Sequence, residues 1–197
     1  MRSLVYFIAA SIDGYIAETS DADPTGTVFE LEGDHLPALI AEYPEMIPGH
    51  LRELFGLAGR RPRHFDTVLE GRASYQIGLD QGVADAYPHL RHLVFSSTLD
   101  QAADPAIELV RGDAVERVRA LKREPGLDIW LCGGGGLAAS LRHEIDEIHL
   151  KLNPVVIGSG VPLFGAPSGS TPSLDRYRLQ SVRSFESGVA LLVYRRR

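Results

Sequence analysis

A single cysteine, Cys132, among 197 residues excludes an intrachain disulfide and a cysteine-based zinc site, and a reducing cytoplasm is the setting that follows. A basic excess is also missing. The formal net charge is -6, so the chain lacks the electrostatic footprint of a nucleic-acid binder, and the tail Arg195 to Arg197 is too short to change that. Long hydrophobic runs are absent as well: Leu4 to Ala10, with only Arg2 ahead of it, is too short for a membrane span or the core of a signal peptide. The seven histidines, at 35, 50, 64, 89, 92, 143 and 149, show no metal-ligand spacing, so no metal centre is expected. What remains is a chain with 44% apolar residues, enough for one domain with a full core.

Short apolar, β-branched runs recur at Leu4 to Ala10, Thr67 to Leu69, Leu93 to Ser96, Ile107 to Val110 and Ile129 to Cys132. Near-continuous apolar character over such lengths predicts strands covered on both faces, as in a parallel sheet between helices. Ala114, Val118 and Leu121 follow helix spacing after the capping-type Asp113, and Arg72 to Leu79 and Leu137 to Arg142 are shorter helix candidates. Ile148, Leu150 and Leu152 then alternate with Glu147, His149 and Lys151. Two last strands, around Arg178 to Val182 and Val189 to Tyr194, read as a closing antiparallel hairpin. From about residue 18 to 64 no strand is assigned. Asp21 to Gly26 is loop chemistry, Leu36 to Ile40 and His50 to Leu57 are possible helices, and a segment this long is a place to seek substrate contacts.

Chemistry concentrates where strands end. Gly133 to Gly136 follow an apolar strand and open a helix, so bare N–H groups there can approach a phosphate at the positive end of the helix dipole, although such runs also serve as tight turns. Gly71, Arg72 and Ser74 repeat the arrangement, with a guanidinium for a charge-assisted contact. Ser96, Ser97 and Thr98 place three hydroxyls after another strand. At Ser11 to Gly14, Asp13 either bonds its own following backbone or plays a chemical part.

In this order the motifs Ala9 to Ala17, Gly71 to Tyr75, Phe95 to Thr98, Gly133 to Gly136, Asp146 to Leu150 and Pro154 to Phe164 resemble the dihydrofolate-reductase-like superfamily. The closer likeness is to the branch containing the reductase domain of riboflavin biosynthesis. The resemblance implies a three-layer α/β/α fold over residues 1–197, a mostly parallel sheet with a C-terminal antiparallel hairpin, and a variable insertion at about 18–64. It implies NADPH as cofactor, held by Ala9, Ala10, Ile16, Gly71, Arg72, Ser74, Ser96, Ser97, Thr98, Gly133, Gly134, Gly135 and Leu137. It further assigns Asp13 to the catalytic loop and Gly158 and Gly160 to the substrate side, with a homodimer as the assembly. Relatives often carry a basic residue where Ser97 and Thr98 stand, which leaves the preference for NADPH over NADH open.

The implied activity is hydride transfer to a small heterocycle, as in 5-amino-6-(5-phosphoribosylamino)uracil reductase; dihydrofolate reduction and a non-catalytic nucleotide-binding module are the alternatives. A phosphorylated substrate calls for a basic residue in the pocket, for which Arg60, Arg61, Arg63 and His64 are the candidate cluster. A pterin calls for an acid, and Glu42, Glu45 and Glu53 are available, each with an ordinary surface explanation. Leu137 after the glycines replaces the Lys-Ser or Lys-Thr of a phosphoryl-transfer loop, and Gly158-Ser-Gly160 is too short for a hydrolase nucleophile elbow.

Overall fold

The computed structural model describes residues 1–18, 23–165 and 173–197. Strands β1 (Leu4–Ala10), β3 (Phe65–Gly71), β4 (Arg91–Phe95), β5 (Glu108–Val110), β6 (Asp128–Gly133) and β7 (Glu147–Leu152) run parallel. The closing hairpin, β9 (Tyr177–Ser184) and β10 (Ala190–Arg196), adds antiparallel to β7, which gives the order β5-β4-β3-β6-β1-β7-β10-β9. Two short strands, β2 (Tyr15–Ala17) and β8 (Val161–Pro162), form a separate antiparallel pair.

The strands β1, β3, β4 and β6 are buried on both faces, which is why they read as unbroken apolar runs, whereas β9 at the edge is largely exposed. On one face Leu4, Tyr6, Leu69, Leu93 and Leu131 pack against Val118 and Leu121 of α3 (Ala114–Arg123) and Ala138 of α4 (Gly135–Ser140). Alternation sends Val5, Phe7, Val68 and Trp130 to the other face, under Tyr43 and Tyr87. Tyr43 follows α1 (His35–Glu42), and α2 (Arg72–Asp80) packs nearby through Tyr75 against Val94 and Ile107. The three-layer α/β/α reading therefore stands, with the hairpin where the sequence placed it.

Asp113 caps α3 by accepting from the N–H groups of Val115 and Glu116, as its position suggested. The region from His50 to Leu57 differs from expectation. Only Gly49–Leu51 forms a single 3-10 turn, and the chain then bends through Gly56 at φ 65°, a conformation a helix cannot hold. Of the loop at 21–26, residues 21 and 22 lie outside the described residues, and Thr25 bridges Phe29. Among the described residues no helix is long and apolar enough to cross a membrane.

Candidate functional site

A cleft of about 500 Å³ opens on the Phe7–Trp130 face of the sheet, toward the strands' carboxyl ends. Ala9, Glu70, Cys132, Gly133 and Lys151 come to it from four neighbouring strands, while Phe29, Leu36, Tyr43, Ile47 and Phe55 cover it from the long segment after β2. Most of the wall is apolar or aromatic, the lining expected of a slot for a flat organic ring. The segment that carried no strand prediction is thus the lid of the cavity.

Around this mouth the parallel strands β4, β3, β6 and β1 end side by side. Their following turns hold most of the residues expected at a cofactor. Gly71 and Gly134 stand at the N-caps of α2 and α4, and neither helix start is closed by a side-chain cap. Arg72 is exposed and makes no ion pair among the described residues, whereas Ala9, Ile16, Ser74, Gly133 and Gly134 line the cleft directly. Gly133 adopts φ 148°, outside the range of ordinary side chains, and its peptide bond to Gly134 is cis.

Other expected residues have structural employment. The Ser96 hydroxyl accepts from the N–H groups of Thr98 and Leu99 at 3.2 and 3.1 Å, closing its own turn, while Ser97 and Thr98 are exposed. A Cβ on Gly135 would lie 2.2 Å from the Pro162 carbonyl oxygen, so that glycine is required by the loop resting on it. Gly160 is needed in the same way, because its Cβ would meet the Ala17 carbonyl oxygen at 2.1 Å. Ala10 is buried, Leu137 packs against the core from within α4, and Gly158 sits at φ 80° in the loop after β7. Asp13 is exposed and does not line the cleft; its carboxylate accepts from the N–H groups of Ile157 and Gly158 at 3.2 and 2.7 Å. The Ser11 hydroxyl, followed by those backbone donors, holds the Asp13 carboxyl below its ordinary value.

Residues 2–191 match the family described as RibD C-terminal domain. The chain belongs to that family. It is 29% identical over 192 residues to the uncharacterised protein YwjB of Bacillus subtilis, with 96% of each chain covered. It is also 32% identical over 142 residues to YyaP of the same organism, covering 66% of this chain and 73% of that one. Among solved structures, a putative riboflavin biosynthesis protein from Shewanella sp. PV-4 superposes with a TM-score of 0.68 at 21% identity, covering 100% of this chain and 99% of the other. A diaminohydroxyphosphoribosylaminopyrimidine deaminase/5-amino-6-(5-phosphoribosylamino)uracil reductase from Thermotoga maritima gives 0.60 at 14% identity; this chain is covered fully and spans 57% of that one. These two likenesses establish a shared fold.

Within this RibD C-terminal domain, the charged groups that reach the cleft are not those the sequence singled out. Glu70, 5% exposed, lines it from the end of β3. Its Oε2 is 2.8 Å from Nε2 of His92 on β4, and Nδ1 of that imidazole is 2.8 Å from Oδ1 of Asp85. Burial alone would depress His92, yet the hydrogen bonds to Asp85 and Glu70 override it and push the imidazole up to about 9. Cys132 lies beside this group with its thiol pushed up by burial and then by Glu70, which leaves it unreactive. Glu45, given a surface explanation, is fully buried and accepts from the backbone of Arg63, His64 and Phe65, tying the lid segment to β3. Arg60, Arg61, Arg63 and His64 do not line the cleft; Arg63 and His64 face Glu42 instead.

The ammonium that does line it is Lys151, whose alternation with Leu150 and Leu152 marks two covered faces of β7. Burial pulls Lys151 below its ordinary value, and no carboxylate among the described residues counters it. The charge therefore costs stability near neutrality, and that cost is relieved as pH rises through the lowered folded value toward the unfolded one. Lys151→Met is expected to stabilise the chain by about 1 kcal/mol or more, a rise of roughly 2–4 °C in Tm per kcal/mol. Thermal melts at pH 7 check this; a fall in Tm would mean that Lys151 is compensated in the folded protein.

Proposed function

We propose that this domain is an NADPH-dependent reductase that transfers hydride to a small, flat heterocycle held in the cleft. The observation that carries the reading is the convergence of helix starts without side-chain caps, an exposed Arg72 with no ion pair among the described residues and the glycine turn on the mouth of one aromatic-lined cavity. The residues present fit a dinucleotide: Gly71, Arg72 and Gly134 with the exposed Ser97 and Thr98 would hold its phosphates. Ser74, Ala9, Ile16 and Gly133 would border its ring. When bound, the reduced nicotinamide supplies the hydride. The chain's own part is to orient the two rings, to exclude water with Ile16, Phe29, Tyr43 and Trp130, and to fix charge around the acceptor.

The family supports a riboflavin-pathway type of reductase, and the name of the Thermotoga protein suggests a ribosylaminopyrimidine as the substrate to try first. The assay is loss of the reduced-nicotinamide absorbance in the presence of the phosphoribosylamino uracil, a dihydropterin or a quinone-like acceptor. Oxidation that requires both the protein and one of these ring acceptors is the expected result. Saturable NADPH binding without oxidation by any of them would leave a nucleotide-binding module instead.

A further inference from the structure

The lid side of the cleft is walled by hydrocarbon that the core leaves unused. In α1, Leu36, Leu39 and Ile40 stand three and four residues apart, so they form one stripe, and that stripe lines the cavity. An amphipathic helix ordinarily buries such a stripe in the core. Here only Leu39 and its neighbour Ala38 pack against the core cluster around Tyr43, while Leu36 and Ile40 stay half-buried at the cavity. Ile47 continues the wall, and Leu31 and Phe55 are its most open members at 42% and 39% exposure. Apolar surface gathered on one wall of a cavity and left uncovered marks the seat of an apolar ligand.

The charged groups of the same segment are spent elsewhere. Arg52 is buried and donates to the carbonyl oxygens of Pro44, Leu57 and Arg60 at 2.6, 3.2 and 2.8 Å, so its guanidinium is used inside the lid. Arg63 donates to the Ala41 carbonyl at 2.8 Å and faces Glu42. Among the described residues no arginine lines the cleft, and its one lysine, Lys151, comes from β7 in the sheet floor. The acids are engaged as well: Glu70 is turned to His92, and Asp23 accepts from the Thr25 N–H and from Gln81. Tyr43 sets its hydroxyl 3.4 Å from Nδ1 of His149, and His50 is exposed. A phosphate seated under the lid would therefore be a desolvated charge without a partner.

We propose that the lid receives a neutral hydrocarbon arm of the acceptor, alkyl or aryl, carried on the ring that meets the nicotinamide, and that it rejects acceptors phosphorylated on that arm. This rests on the cleft being the substrate site of the proposed reductase. The phosphoribosylamino uracil is then the poorest of the acceptors to be tried, and unphosphorylated rings with an apolar substituent are the best. Selection works in both directions: each methylene set against Leu36, Ile40 and Ile47 leaves water, whereas a charge set there loses its hydration and gains no partner. The features of the chain suited to phosphate, Arg72 and the helix starts at Gly71 and Gly134, lie at the strand ends and are those assigned to the dinucleotide.

The test uses the methyl, propyl and pentyl esters of 4-hydroxybenzoic acid, which share one neutral ring and lengthen only the arm, with the 2-phosphoethyl ester as the charged counterpart. The chain has one tryptophan, and it lines the cleft, so its single indole N–H resonance reports binding without interference. Expected is a gain of about three- to fourfold in affinity per added methylene, the effect of moving that group out of water. The 2-phosphoethyl ester should bind at least tenfold more weakly than the propyl ester. Leu31→Ser combined with Phe55→Ser should flatten the gain for the pentyl ester and leave the methyl ester nearly as it was, and Leu36→Asn should do the same from α1. If Leu36→Asn fails to fold, the double variant, made at two exposed positions, decides alone. Affinity independent of arm length, a gain that the lid variants do not alter, a phosphorylated ester that binds as well as the propyl ester, or no binding of any ester would overturn the proposal. NADPH is titrated separately into the same samples. Loss of NADPH binding with the arm-length series intact would remove the reductase reading and leave the apolar seat, and the opposite result would remove the seat alone.

Discussion

His92→Leu is expected to cost about 3–5 kcal/mol near pH 6, lowering Tm by roughly 10 °C, because it strands two buried carboxylates that now share one imidazolium. His92 is 2% exposed and bonded at both nitrogens, so no water can take over its place without opening the cleft wall. The sign of the pH dependence follows from a folded value raised from the ordinary 6.5 to about 9. Stability from the imidazolium is fully present below about pH 6.5 and is lost as pH climbs through about 9, a swing of about 3 kcal/mol. Urea unfolding of both proteins at pH 6, 7.5 and 9.5 measures it. The gap between wild type and variant should narrow as pH rises; a gap that stays constant would mean that His92 is neutral throughout.

Arg72→Ala should weaken NADPH binding by roughly 10- to 100-fold, the range for losing a hydrogen-bonded contact between charged groups. Stability should barely change, within about 0.5 kcal/mol, since the side chain is exposed and pairs with nothing among the described residues. The contrast between those effects separates a ligand contact from a structural one. A larger loss for NADPH than for NADH would assign Arg72 to the extra phosphate, and equal losses would assign it to the diphosphate shared by both. Unchanged affinity for either would remove Arg72 from the site.

Much of the scaffold could be read from residue patterns because a doubly covered parallel sheet leaves an unmistakable trace: brief apolar runs such as Leu4 to Ala10, each closed by turn-forming residues. The two-residue alternation and the Glu186-Ser187-Gly188 break made the hairpin visible in the same way. Local signals also found the glycine turns bordering the cleft. They could not find its electrostatics. Glu70 and His92 are 22 residues apart and meet only because β3 and β4 pair, with Asp85 folding back across His92 from the connection between α2 and β4.

One signal for Glu70 was present, namely a carboxylate immediately after the buried run Thr67 to Leu69, where a charge needs a partner. Lys151 was hidden for a different reason. Alternation on β7 tells two faces apart but not that the lid segment covers the polar one, where Tyr43 packs against His149. Beyond α1, whose core Leu36 to Ile40 was legible as a helix, the lid lacks periodicity because single turns and glycine bends hold it, with the buried carboxylate of Glu45 as its tie to β3. Ser96 and Asp13 show the converse: each sits in a matching motif, yet its oxygens are spent on backbone N–H groups.

Titrating the protein with NADPH while following Trp130 emission tests most directly whether these strand ends serve one dinucleotide. The lone indole lines the cleft and donates to the Phe7 carbonyl at 3.2 Å, so a nicotinamide entering there should quench it strongly and saturably, with one equivalent bound. Emission that stays constant to millimolar NADPH, with no accompanying rise in Tm, would contradict a nicotinamide site in this cleft.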